Sequence, residues 1–448
     1  MIKITIKNKL IVEGTTVKTR KAIMKALTLP NPMYYKMMRM GNVAALYGVP
    51  KDFKYYTRIG EKLLVGRGFE YNLINHLKKN DIQYEIRDET SGPKIKTKLK
   101  GKVQLRAYQR GDTENIERHR TGIICCGTGY GKSVIGTDLI RQLNRSTLII
   151  VPRTHLLKQF AEEVRKYYDY KVGIIQGKKR DVKDITIASI QTLIKRPHLV
   201  ESLSDYFGVV IVDECQTAIT DKRLEVIQSF NPRYLYGMTA TPRRTDQQSK
   251  AIMFTFGQLI LDKKLPQTPP EIELVNSDAD IPILENYAEM ITKQVEDKGR
   301  NLLIADIVDH EVNDGRKILI LTKRIKHYEK IAELLPPEYN QFSIASKDQL
   351  KKRDELLHEL RENKREFDVI LGTYSMLSTG TDIPALDTLI VAGDLRSDVL
   401  QEQSAGRVLR LFGDKQHPKI IDIIDNKNGI LNHQAISRIR FYKRQEWL

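Results

Sequence analysis

The chain opens on a period of two. Ile2, Ile4 and Ile6 alternate with Lys3 and Thr5, which predicts a half-buried strand over Ile2–Ile6, and Leu10–Val12 continues as a second strand. The period then lengthens to that of a helix over Lys18–Leu27, which Pro30-Asn31-Pro32 brings to a stop. The apolar stretch Leu63–Val65, a helix around Tyr71–Lys79 and a strand at Gln83–Ile86 complete a small α+β unit, and SGPKIKTKLKGK at 91–102 reads as a basic linker. From Val103 the pattern changes. Short, uninterrupted apolar runs at Thr147–Val151, Ile185–Ser189 and Val209–Val212 alternate with helical stretches, as in a parallel sheet covered on both faces. A proline-rich hinge, Leu265-Pro266-Gln267-Thr268-Pro269-Pro270, precedes a second series. This comprises a helix over Leu284–Asn313, a strand at Lys317–Leu321, a helix over Ile325–Leu335, strands at Val369–Gly372 and Asp387–Val391, and a terminal helix over Leu431–Tyr442. The pattern divides the chain into 1–100, 101–265 and 266–448, in keeping with a length too great for one core.

One junction in this pattern carries chemistry. TGIICCGTGYGKSV, Thr121–Val134, passes from a buried strand through Gly127, Gly129 and Gly131 to Lys132 and Ser133, where helical periodicity begins. Glycines let backbone N–H groups close around a pyrophosphate, the helix N-terminus adds partial positive charge, Lys132 reaches the terminal phosphates and Ser133 suits Mg²⁺. Cys126, Gly127, Thr128, Gly129, Tyr130, Gly131, Lys132 and Ser133 are therefore the candidate nucleotide-binding loop, although Cys126 stands where the first glycine of the usual spacing would be. Upstream, the amide of Gln109 is suited to the edge of an adenine. Downstream, the strand Val209–Val212 delivers Asp213 and Glu214 to its carboxyl end, where ligands bind in open α/β sheets. Asp213 suits Mg²⁺ and Glu214 suits polarisation of the attacking water; a solvated turn is the bland alternative.

Charge adds a partner. The chain carries a formal net charge of +18, and residues 1–100 hold 21 Lys+Arg against 8 Asp+Glu, while the remainder holds 53 against 48. Aromatic residues interleave with these bases (Tyr34, Tyr35, Tyr47, Phe53, Tyr55, Tyr56), a combination that suits a nucleic acid, the alternative being a lysine-rich solvated surface. Three cysteines, Cys125, Cys126 and Cys215, have neither the number nor the spacing of a disulfide framework or a zinc site. No apolar run approaches a membrane span and the amino terminus lacks the apolar core of a signal peptide, so a cytoplasmic protein is expected, in the host cytoplasm if phage-encoded. Nothing in the sequence points to a protein partner.

The ordered set CGTGYGKS, VPRTHLLKQ, DECQ, Thr239-Ala240-Thr241-Pro242, TGTDIP (Thr379–Pro384) and QSAGRVLR (Gln403–Arg410) resembles that of the superfamily 2 helicases and translocases over about residues 103–448. The resemblance implies two tandem RecA-like lobes of α/β parallel sheet with one ATP site in the cleft between them, preceded here by the small basic α+β domain. It implies ATP and Mg²⁺ as cofactors, with Gln216, Thr239, Thr241, Gly380 and Asp382 coupling hydrolysis to lobe movement. It also implies that Gln403, Arg407 and Arg410 complete catalysis at the γ-phosphate, although two arginines three apart on a helix also suit surface ion pairs. Arg153, Gln191, Thr192 and Thr373 match positions along the strand-binding face, where phosphates are contacted without reading sequence. DECQ differs from the DEAD sequence of the large RNA-helicase group, which favours DNA. The amino-terminal layout, NPMYYKMMRMGN followed by EKLLVGRGFEYNLINHLKKNDIQYEIRDE, is similar to the domain before the motor in phage UvsW-type branched-DNA helicases. That resemblance implies remodelling of forks or junctions in phage-type recombination, repair or replication. The other expectations are the motor of a restriction-type system, an RNA helicase and a non-catalytic, nucleotide-switched DNA-binding protein. At the C-terminus, Arg438, Arg440, Lys443 and Arg444 crowd the end of the last helix and suit either phosphate or the helix dipole.

Overall fold

A computed structural model describes the chain except at residues 42–45, 98, 128, 219, 241–248, 264–267, 344–349, 375–382, 394, 396–400, 402–403 and 407–414. Two compact units divide it, Met1–Lys264 and Leu265–Leu448. Among the described residues no helix is long and apolar enough to cross a membrane.

The first unit contains two large sheets. In the amino-terminal one the strands run in the order Tyr56–Ile59, Lys62–Val65, Leu10–Glu13, Ile2–Ile6, Tyr84–Asp88, and only the last pair is parallel. The alternation that opens the sequence sets its register. Ile2, Ile4 and Ile6 point inward with Leu10, Val12, Leu63 and Val65, and the helices Val17–Ala26 and Glu70–Lys79 cover them with Ile23, Leu73 and Leu77. Pro30-Asn31-Pro32 does follow the end of the first helix, yet it also starts another. Thr28–Pro30 pairs antiparallel with Asp52–Lys54, and Asn31 caps a helix over Pro32–Arg39 by accepting from the Met33 N–H. Proline at the first helical position is a start signal because its missing N–H would have no partner there.

The second sheet has eight strands: Lys179–Asp181, Gly173–Gln176, Ile185–Ser189, Thr147–Val151, Val209–Val212, Tyr234–Thr239, Thr121–Cys126 and Leu259–Lys263, all parallel except the first. The three apolar runs of the sequence occupy three adjacent places in it, and Val209–Val212 is buried at all four positions. Full burial of each aliphatic side chain contributes about 1.5–3 kcal/mol, which is why such strands carry no polar face and no period.

The two sheets share a core. Phe254, from the helix Ser249–Phe256, packs among the amino-terminal apolar residues, 5.5 Å from the Tyr55 ring and 5.9 Å from that of Phe69. The buried Arg67 guanidinium donates to the carbonyls of Pro232 and Arg233. Nor is the basic segment after residue 90 a free linker. Ser91 donates its N–H to Asn231 O at 2.9 Å, Pro93 O accepts from Ser146 N at 3.0 Å and Lys96 N donates to Asp184 at 2.9 Å. Gly92, at φ +132°, lies so close to Gly208 that a Cβ would meet the Gly208 Cα at 2.0 Å, so only glycine passes there.

The second unit is one six-stranded parallel sheet in the order Glu271–Asn276, Lys419–Ile424, Thr388–Val391, Ile318–Thr322, Val369–Thr373, Gln341–Ser343. The single long helix expected at Leu284–Asn313 is two, Tyr287–Glu296 and Lys298–Asn313. Asp297 leaves helical geometry (ψ 112°) and accepts from the Arg300 N–H as the cap of the second. Arg438, grouped above with bases available to phosphate, is instead buried against Asp422, with Nε to Oδ2 at 2.8 Å and Nη2 to Oδ1 at 2.8 Å. It fixes the terminal helix Gly429–Arg444 to the sheet.

A second buried pair leads to a pH effect. Arg300 Nε donates to Asp425 Oδ1 at 2.7 Å, its Nη2 to Ala392 O at 2.9 Å and its Nη1 to His327 Nε2 at 3.2 Å. Burial, reinforced by the Arg300 charge, pushes the His327 imidazolium down from 6.5 to about 3. The unfolded chain takes up this proton near 6.5 and the folded one does not. Stability therefore holds above 6.5 and is lost as the pH falls towards 3, at about 1.4 kcal/mol per pH unit for this one group. Denaturant melts from pH 7 to pH 4 should show a shallower acid dependence in His327→Gln than in the native protein. Parallel curves would mean that the ring is protonated in the fold.

Candidate ATP site

The strand Thr121–Cys126 ends at the sheet's carboxyl edge and the helix Lys132–Leu143 begins six residues later. Between them Gly129 and Gly131 stand at φ +86° and +94°, and a Cβ on Gly131 would meet Gln109 Nε2 at 2.6 Å. The departure at Cys126 is explained by its place. It is still the last residue of the strand, buried and without the positive φ that would demand glycine. Burial raises its thiol to about 12, so it stays a neutral packing group.

Gln109 lies buried on the helix Ala107–Glu117. Its Oε1 accepts from Arg106 N at 2.9 Å and its Nε2 donates to Tyr130 O at 2.6 Å, so the amide braces the loop. One N–H and one lone pair of the amide are left for a base edge. Two residues that sequence reasoning did not single out join this brace. The Tyr130 hydroxyl donates to Asp112, and the Tyr108 ring lies 4.9 Å from that of Tyr130. Asp112 stands three residues after Gln109, and that helical spacing was the available signal.

Lys132 and the carboxylates meet across 82 residues of sequence. Lys132 Nζ lies 3.1 Å from Glu214 Oε1, and Gln216 Nε2 donates to Glu214 Oε2 at 2.5 Å. Burial opposes the Lys132 charge, but Glu214 and Asp213 outweigh it and hold the ammonium above its ordinary pKa. Asp213 is pushed up to about 6, chiefly by burial, with Lys132 opposing the shift. Glu214 adopts φ +48°, ψ +47°, a left-handed conformation unusual outside glycine and of a kind that collects at functional positions.

Mg²⁺ fits this donor set. Asp213 is a buried carboxylate at the carboxyl end of the strand Val209–Val212. That suits an ion held through one or two protein ligands together with phosphate and water. Ser133, at the helix start, hydrogen-bonds the carboxylate of Glu163 on the helix Thr154–Tyr168, and would turn from it to reach a metal.

The remaining candidates divide by position. Arg153 and Gln191 follow the adjacent strands Thr147–Val151 and Ile185–Ser189, and Gln191 Nε2 donates to Pro152 O at 2.6 Å. The Thr192 hydroxyl accepts from Gly177 N at 3.0 Å and is thereby turned inward. Thr239 is buried at the end of its strand, and Thr373 is buried at the end of Val369–Thr373 in the second unit. Thr128, Thr241, Gly380, Asp382, Gln403, Arg407 and Arg410 lie outside the described residues.

Two family models match, one on each unit: "Type III restriction enzyme, res subunit" over residues 102–244 and "Helicase conserved C-terminal domain" over residues 299–412. Putative helicase 161L of Invertebrate iridescent virus 6 is 28% identical over 383 residues, 79% of this chain and 83% of that protein. Putative ATP-dependent RNA helicase L396 of Acanthamoeba polyphaga mimivirus is 25% identical over 98% of this chain and 84% of its own length. ATP-dependent DNA helicase uvsW of Enterobacteria phage T4 is 24% identical, with 72% and 69% covered. A phosphate loop facing two carboxylates in the first unit, followed by the helicase C-terminal model in the second, places the chain among the superfamily 2 helicases, enzymes that use ATP to act on nucleic acid.

Proposed function

We propose that this helicase acts on DNA and remodels forks or junctions, with the amino-terminal sheet meeting the branch beside the motor. The observation that carries the reading is the shared core. A segment with 21 bases against 8 acids is fixed by Arg67 and Phe254 to the lobe that holds the phosphate loop, so nucleic acid gripped there lies on the same body as the ATP site. The relation to a phage DNA helicase supports this reading.

In the reaction Lys132 holds the terminal phosphates, Ser133 and Asp213 would hold Mg²⁺, and Glu214 accepts the proton of the attacking water. The metal, when bound, neutralises charge on the phosphate oxygens. Glu214 must first leave Lys132, so entry of a nucleotide trades an internal ion pair for one with phosphate. Gln216, hydrogen-bonded to Glu214, is placed to sense that exchange. Arg407 and Arg410 are assigned to stabilise charge on the transferred phosphoryl group, with Gln403 beside them in the same motif. Arg153 and Gln191 offer the first lobe's strand contacts.

RNA is the second reading, favoured by the viral relative named an RNA helicase. Stimulation of ATPase activity by single-stranded DNA, duplex DNA, forked DNA and RNA of matched length decides between them. Forked DNA is expected to stimulate most. Strongest stimulation by RNA would overturn the DNA assignment, and equal stimulation by linear and forked DNA would overturn the branch.

A further inference from the structure

We propose that Asp112 is a positioning residue for nucleotide binding: it holds the Tyr130 hydroxyl and thereby fixes both the shape of the phosphate loop and the orientation of the Gln109 amide. The inference rests on the ATP-site reading above and adds to it a link between the base and the phosphates.

The loop needs such a hold. Tyr130 stands between Gly129 and Gly131, and glycine takes up positive φ about as readily as negative, so an untethered stretch has many shapes open to it. Tyr130 is the residue at which the stretch is held. It is buried, its N–H donates to Gly127 O at 3.2 Å and its O accepts from Gln109 Nε2. Its ring lies against that of Tyr108 and its hydroxyl donates to Asp112. Gln109 and Asp112, three apart on the helix Ala107–Glu117, share a face and so grip one loop residue at its backbone and at its tip.

A carboxylate is more than packing requires here. Any buried acceptor would satisfy a tyrosine hydroxyl, and burying a charge costs more than burying a carbonyl. Asp112 is buried and in no ion pair among the described residues, and the Tyr130 hydroxyl is what bonds it. What the charge adds is strength, since an ionised acceptor makes a hydrogen bond roughly twice as strong as a neutral one. A costly choice of residue beside a phosphate loop belongs to the class of local exceptions met at functional positions.

The hold extends to the base through the amide. Arg106 N only donates and Tyr130 O only accepts, so these two bonds decide which end of the Gln109 amide is oxygen and which is nitrogen. With the amide set, its remaining lone pair and N–H match the N6 amino group and N7 of adenine, whereas guanine presents two acceptors and matches only half. A Tyr130 that shifts takes its carbonyl with it, and the amide loses one of the two bonds that orient it.

The test uses the full-length protein with Tyr130→Phe, Asp112→Asn, Asp112→Leu, and Asp112→Leu combined with Tyr130→Phe. For each, calorimetric affinities for ADP and GDP, ATPase KM and kcat, and melting temperature are measured. Tyr130→Phe and Asp112→Leu should bind ADP about tenfold more weakly, the scale of one lost hydrogen bond to a charged group, and lose most of the preference for ADP over GDP. Their kcat should change far less than their affinity, because Lys132 and Glu214 are untouched. Asp112→Asn, whose amide oxygen still accepts from the hydroxyl, should keep most of the native affinity. The combined variant separates positioning from mere stability. Replacing both partners by apolar groups leaves no orphaned hydroxyl, so the melting temperature should recover while affinity and base preference stay low. Native affinity and base preference in Tyr130→Phe would overturn the proposal, and so would an affinity that recovers with the melting temperature in the combined variant. A native protein that binds ADP and GDP equally would overturn the link to the base. Lys132→Ala, assayed alongside, keeps the two readings apart: normal turnover there removes the ATP-site reading itself, whereas a native-like Tyr130→Phe beside an inactive Lys132→Ala overturns the positioning role alone. If Asp112→Leu does not fold, Tyr130→Phe and Asp112→Asn decide the matter by the same outcomes.

Discussion

Lys132→Ala should lower ATP turnover by about 10²–10³-fold and leave DNA affinity largely intact. The magnitude is that of removing one preorganised charge from the oxygens that gain charge in the transition state. The structure adds a second loss. Lys132 is paired with Glu214 and its charge also acts on Asp213, so without it two carboxylates in a buried corner repel each other and the incoming phosphates. Nucleotide binding should therefore weaken together with kcat. On the DNA reading proposed above, affinity is spared because the basic amino-terminal segment is not part of this corner. Steady-state ATPase assays with DNA titrations check both halves, and near-normal turnover would remove the phosphate-loop assignment.

Glu214→Gln should behave differently: kcat falls by about 10²–10⁴-fold, the usual contribution of a positioned general base, while ATP binds at least as tightly as before. Glutamine keeps the length of the side chain, can still bond Gln216 and tolerates the backbone no worse than glutamate. It cannot take the proton of water. It also releases Lys132 from its ion pair and removes one negative charge facing the phosphates. A fall in kcat with unchanged or tighter binding separates a group that acts in the transition state from one that only shapes the site. A rise in KM at constant kcat would show that Glu214 merely positions nucleotide.

The parts of this site that were legible in the sequence are those imposed by the backbone. Glycines at φ +86° and +94° followed by Lys132 leave a spacing that can be counted, and Val209–Val212 leads directly into Asp213 and Glu214. Contacts made through space leave no such trace. Nothing in the neighbourhood of Lys132 announces that its partner is Glu214, or that the Gln109 amide is bonded to Tyr130 O. Fold followed the same division. The central strands were legible because full burial leaves runs dominated by aliphatic residues, with only Thr147, Thr186 and Ser189 as polar members of the three. Tyr234–Thr239 was not, since Tyr234-Leu235-Tyr236-Gly237 mixes aromatic, aliphatic and glycine residues without a clear run. The terminal helix illustrates the limit of charge patterns. Arg438 belongs by sequence to a cluster of surface bases, and one buried aspartate on a strand decides otherwise.

The shared core of the first unit sets an order of events during synthesis. Phe69 and its neighbours leave the ribosome early, but the ring they pack against, Phe254, belongs to a helix that ends at Phe256, with most of the eight-stranded sheet encoded in between. At the usual elongation rates of about 5–20 residues per second, roughly ten to forty seconds pass before that surface can close. For that interval the amino-terminal sheet exists as a nascent half-structure with an open apolar face. Lys3, between Ile2 and Ile4, and the run of bases beyond the strand then keep neighbouring nascent chains apart, before there is any nucleic acid for them to meet.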